Sequence, residues 1–68
     1  MDKFKLLYEM NRRGVSQTKL CEDLNISRSA FYRKLNGKSE FTLPEIRAIV
    51  EYLDLDSPMG IFFAEKVS

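Results

Sequence analysis

The chain has no histidine, no tryptophan, one cysteine, two prolines and three glycines in 68 residues. A lone Cys21 cannot close a disulfide within the chain. It fits a reducing, intracellular setting. Without histidine, and with a single thiol, no ligand cluster for a transition metal is expected. Enzymatic chemistry is not expected either. There is no glycine-rich phosphate loop and no nucleophile beside a plausible base, so Cys21 is read as a small core residue. No apolar run reaches the roughly 18 residues of a membrane span, and no apolar core of a signal peptide opens the chain. Alternating strand patterns, repeats, low-complexity tracts and linkers are all missing.

What is present is globular: 44% of residues are hydrophobic and 31% charged. That length supports one domain over residues 1–68 with a thin stability margin. The net charge of +1 hides an asymmetry. Residues 1–38 hold nine Lys/Arg against four acids, a net +5. Residues 39–68 hold two against six, a net −4. A basic part and an acidic part suggest one side that meets a polyanion and one turned elsewhere.

The apolar spacing predicts about five short helices. In "DKFKLLYEMNRR", Phe4, Leu7 and Tyr8 make a helical stripe, and Gly14 suits the left-handed stop after it. Ser16 offers a cap to "QTKLCEDL". Asn25 follows at once and tolerates positive φ, so it turns the chain and drops Ile26 into the core. Ser27 caps "RSAFYRKLN", which Gly37 ends. Two short helices joined by a tight turn are a helix-turn-helix, here at about residues 16–37. Thr42 and Glu45 have capping-box spacing, with Pro44 in the first turn. Ile46, Ile49, Val50 and Leu53 continue that helix. Ser57 and Pro58 read as the start of a last short helix, which Gly60 weakens. The expected core is Phe4, Leu7, Leu20, Leu24, Ile26, Phe31, Ile46, Ile49, Val50 and Leu53.

The helix from "RSAFYRKLN" divides by face. Phe31 and Leu35, with Ala30, point inward. Arg28, Ser29, Tyr32, Arg33 and Asn36 fall on the other side, where no carboxylate would repel phosphate. Arg can donate two bonds to guanine O6 and N7 in a major groove. Asn36 and Lys38 lie at the helix exit, suited to phosphate, and Gln17 sits on a positive helix end that also favours phosphate. Lys3, Lys5 and Lys19 read as ordinary solvated charges.

At these residues the chain resembles the helix-turn-helix of lambdoid phage repressors and Cro proteins, the XRE family. The resemblance rests on "SQTKLCEDLNISRSAFYRKLNGKS": Gln17, Leu20, the small Cys21, the Asn25–Ile26 turn, Ser27, Phe31 and the closing "NGK". With the flanking helices it spans about residues 3–56. It implies an all-α compact bundle, lambda-repressor-like. It implies base contacts from Arg28, Ser29 and Arg33, and phosphate contacts from Gln17, Asn36 and Lys38. Beside these, the phenol of Tyr32 is expected to reach base edges and the hydroxyl of Ser27 a phosphate. Asn25 stands where the family usually has Gly, Lys34 where it usually has an apolar residue, and Leu35 where Glu is frequent. The Lys34 stem is expected to cover the core while its amine reaches water or phosphate.

In the tail, Ile61, Phe62 and Phe63 are three consecutive large apolar residues, and one helix face cannot bury them all. They are candidates for a dimer contact within residues 57–68. The expectation is a sequence-specific DNA-binding regulator, a small phage or prophage repressor of the Cro kind. Its partner would be double-stranded DNA, bound as a homodimer, in the bacterial cytoplasm and nucleoid. No cofactor, membrane or small-molecule ligand is expected. The competing expectation is a protein-interaction module, such as an antitoxin or adaptor, on the same scaffold.

Overall fold

The computed structural model describes residues 1–56 and 58–63. Five helices follow in order: α1 Lys3–Arg12, α2 Gln17–Leu24, α3 Arg28–Leu35, α4 Leu43–Leu53 and α5 Met59–Phe62. Among the described residues there is no strand, and no helix is long and apolar enough to cross a membrane. The cap expected of Ser57 lies outside the described residues; Pro58 precedes the first helical residue of α5.

The first four helices begin alike. Each is opened by a side-chain oxygen that accepts from the backbone N–H three residues on. Asp2 takes it from Lys5 at 3.2 Å, Ser16 from Lys19 at 3.0 Å, Ser27 from Ala30 at 3.1 Å and Thr42 from Glu45 at 3.3 Å. At Thr42 the box is reciprocal, because the Glu45 carboxylate accepts from the Thr42 N–H at 2.8 Å.

The same four helices also end alike, with one left-handed residue each: Gly14, Asn25, Gly37 and Asp54, at φ 69, 57, 79 and 53°. The N–H of the next residue then reaches back five positions. Val15 bonds Met10, Ile26 bonds Cys21, Lys38 bonds Arg33 and Leu55 bonds Val50, all at 2.9–3.1 Å. Three of those next residues are apolar, and the reversal packs Val15, Ile26 and Leu55 against the core. Asn25 therefore does the work of a glycine between α2 and α3. The same role for Asp54 was not expected from the sequence.

The core gathers Leu6 and Met10 from α1, Leu20 and Cys21 from α2, and Phe31 and Leu35 from α3. Ile49 and Leu53 from α4, Leu55, and Ile61 and Phe62 from α5 complete it. Phe31 is at its centre, 1% exposed. It meets Phe41 edge-on at 5.9 Å, and Phe41 meets Phe62 edge-on at 5.8 Å. This relay of three rings fixes the inner face of α3 to the loop before α4 and to α5.

Two expectations fail. Phe4 is not core: it is 73% exposed, and Tyr8 of the same stripe is 60% exposed. α1 carries two overlapping apolar stripes, Phe4–Leu7–Tyr8 and Leu6–Met10. Its rotation is set by what it packs on, including α5, where the Asp2 N–H donates to the Ile61 carbonyl at 2.7 Å. That rotation buries Leu6 and Met10, leaves Leu7 half-buried and turns Phe4 and Tyr8 outward. The second correction concerns the tail. Ile61 and Phe62 are consumed by the core, so of the proposed dimer contacts Phe63 alone is exposed.

Candidate nucleic-acid interface

The helix-turn-helix presents one continuous polar face. Gln17 at the start of α2 and Arg28, Ser29, Tyr32 and Arg33 of α3 line a single shallow groove. The α3 residues are all exposed and Gln17 is half-buried. Tyr32 is 62% exposed, which separates it from the packed aromatic ring it could have been. Two features aim this face. The Ser27 cap and the Asn25 turn fix where α3 starts, and Phe31 and Leu35 fix its rotation by burial on the opposite side. Gln17 occupies the first turn of α2, where free N–H groups and the helix dipole favour an anion.

The charges divide in the same way. Among the described residues, Arg12 and Arg13 pair with Glu9, Lys19 with Asp23, and Lys34 with Glu45. Arg28, Arg33 and Lys38 have no carboxylate partner among those residues. The groove thus carries guanidinium groups that no carboxylate among the described residues pairs. Such groups can donate in pairs to base acceptors or phosphate oxygens.

A Cro/C1-type HTH DNA-binding domain model matches residues 5–58. The chain belongs to this family. Comparison with curated proteins and with solved structures gave no match.

Ser27 is exposed; its oxygen accepts from the Ala30 N–H, and its hydroxyl proton is left to donate. Asn36 stands at the end of α3. Its Nδ2 donates to the Tyr32 carbonyl at 2.9 Å and its Oδ1 accepts from Lys3 Nζ at 2.8 Å. Lys38 is exposed just beyond the Gly37 turn. Lys34 departs from the reading that sent its amine to water or phosphate. Its Nζ lies 2.6 and 2.5 Å from the Glu45 oxygens and 6.0 Å from the Phe41 ring centroid. Burial alone would push the Glu45 carboxyl up, but Lys34 and the Thr42 backbone bond together hold it below the usual carboxylate range.

Cys21 lies behind this face in the core, 3% exposed. Burial pushes its thiol up, and the nearby positive charge of Arg28 offsets this only in part. The thiol therefore stays neutral and packs as a small apolar group.

Three contacts that support this face were not anticipated. Lys3 reaches Asn36 across a separation of 33 residues. Lys34 meets Glu45 across 11. The Tyr52 hydroxyl donates to Asp23, which joins α4 to α2. That bond holds the Asp23 carboxyl below its ordinary value and raises the Tyr52 phenol. The one sequence signal for any of them was a lysine at a position where the family prefers an apolar side chain.

Proposed function

We propose that this chain is a sequence-specific DNA-binding transcriptional regulator that reads its operator through α3. The observation that carries the reading is the groove itself. Gln17, Arg28, Ser29, Tyr32 and Arg33 converge there, with no acid among them and no carboxylate among the described residues paired with the guanidinium groups. In this reading Arg28, Ser29, Tyr32 and Arg33 meet base edges. Gln17, Ser27, Asn36 and Lys38 meet the backbone that flanks them.

A single reading helix of 8 residues covers too few base pairs for high specificity. The regulator therefore acts as a homodimer on a near-palindromic site, with half-sites about one helical turn, roughly 34 Å, apart. Met1, Leu43 and Phe63 are exposed and border one groove together with Phe41 and Ile46, which supports pairing through that side. The Cro/C1-type domain and the polar face of α3 suit a phage or prophage repressor of the Cro kind, acting in the bacterial cytoplasm at the nucleoid. It would repress by occluding polymerase.

Mobility-shift titration across a salt series tests this. Preferred binding to one duplex sequence, with affinity falling steeply as salt rises, is the expected result. A flat salt response with no sequence preference would overturn it. A protein-interaction module is the second reading, and the exposed Phe63 and Leu43 favour it. It gains if Arg28→Ala and Arg33→Ala leave activity in cells intact while Phe63→Ala abolishes it.

A further inference from the structure

The positive charge at the exit of α3 includes one supplied by a different helix. Lys3, in the first turn of α1, places its Nζ 2.8 Å from Asn36 Oδ1. The same Nζ stands 5.4 Å from the centroid of the Phe4 ring. Asn36 is itself held, because its Nδ2 donates to the Tyr32 carbonyl at 2.9 Å. A lysine on a helix surface ordinarily samples many rotamers. This one is flanked by an aromatic ring and an amide that α3 holds in place. Phe4, turned out of the core, thereby gains a role.

We propose that Lys3 is a phosphate-binding residue that α1 contributes to the DNA interface, with Asn36 as its positioning residue. The proposal rests on the reading of α3 as the groove helix. Phosphates flank the major groove, so the end of a helix lying in it meets the backbone. At that end the Asn36 oxygen is an acceptor and already occupied, which leaves one amide N–H to offer. The Lys3 ammonium has three donors, of which Asn36 takes one. It has no carboxylate partner among the described residues. Two donors and a full charge therefore remain available beside the helix exit. Lys38, two residues beyond Asn36 and likewise without a carboxylate partner among the described residues, adds a second cation at the same end. A lysine is a point charge and reads no base, so Lys3 supplies affinity and register without specificity.

The test uses the full chain and two fluorescent probes: a duplex selected by the protein from random sequence, and a mixed-sequence duplex of the same length. Anisotropy titrations run from about 50 to 200 mM salt. Lys3→Gln is expected to weaken binding to both probes by the same factor, roughly tenfold at low salt. It should lower the slope of log affinity against log salt by about 1. Lys3→Arg should restore the slope. Lys5→Gln, whose ammonium lies beside Gly60 of α5, should behave like the wild type in the intercept difference between probes and lose less affinity than Lys3→Gln. Asn36→Ala should lose more affinity in the wild type than in the Lys3→Gln background, where only its own backbone contact is left to lose. An unchanged slope for Lys3→Gln, or an equal loss from Asn36→Ala in both backgrounds, would overturn the proposal. If the wild type itself bound neither probe in a salt-dependent way, the groove-helix reading would fail, and this proposal with it.

Discussion

Lys34 and Glu45 form a half-buried ion pair, with Nζ 2.6 and 2.5 Å from the two carboxylate oxygens, that ties α3 to the first turn of α4. Glu45 at the same time closes the α4 capping box through Thr42. One carboxylate thus starts a helix and anchors the proposed reading helix. The side chains are 16% and 23% exposed, so solvent screens the pair only partly.

The two partners are not equivalent, and their substitutions should differ. Glu45→Gln keeps an oxygen for the Thr42 N–H but leaves the Lys34 ammonium without its counter-charge. It is expected to cost about 2 kcal/mol, between the exposed and fully buried cases. Lys34→Met keeps the apolar stem and leaves Glu45 its Thr42 bonds, so it should cost less. Urea midpoints for the two variants check the order.

The same pair sets a pH dependence. The folded-state carboxyl of Glu45 is held below its ordinary value. Its contribution is therefore fully present above the unfolded value, about 4.3, and is lost as pH falls through the lower folded value. Thermal melts from neutral to acid pH should show a fall in Tm below the usual glutamate range. Glu45→Gln should make that fall shallower. An identical profile in the two proteins would remove Glu45 as a source of acid sensitivity.

The rotation of α1 predicts opposite outcomes for two neighbouring apolar residues. Leu6 is 0% exposed, and Leu6→Ala should cost about 2–5 kcal/mol. That is a large share of the roughly 3–10 kcal/mol expected of a domain this size. Phe4→Ala should change stability by no more than about 0.5 kcal/mol. Thermal or urea unfolding separates the two at once.

Asn25 holds a left-handed conformation that glycine adopts without strain. Asn25→Ala should destabilise by about 1 kcal/mol. Asn25→Gly should be neutral or stabilising by a few tenths, because relief of strain outweighs the added freedom of the unfolded chain by a narrow margin. A shifted urea midpoint at unchanged m-value is the signature.

The sequence made most of this architecture legible where the signals were local. Ser16, Ser27 and Thr42 act within four residues of themselves, and all three cap as their positions suggested. Asn25 followed by Ile26 was readable as a turn for the same reason. α1 was harder, since Phe4–Leu7–Tyr8 and Leu6–Met10 are both valid helical stripes. The choice between them is made by distant residues such as Ile61. The tail posed the same problem: three apolar residues in a row said that one must be left out, but not that it would be Phe63. On the candidate site, the faces of α3 were legible from helical spacing. The links from Lys3 to Asn36 and from Lys34 to Glu45 were not, because long side chains choose partners that only the tertiary packing brings near.

Selection of binding sites from random duplex DNA tests the central claim most directly, with the wild type beside Arg28→Ala and Arg33→Ala. The wild type should enrich a near-palindromic site whose half-site centres are about one helical turn apart. Each arginine variant should relax preference at particular base pairs, at a cost of about 1–3 kcal/mol on the selected site and less on others. Recovery of no common sequence by the wild type, or of the same sequence with undiminished affinity by both variants, would contradict the assignment of α3 as the helix that reads bases.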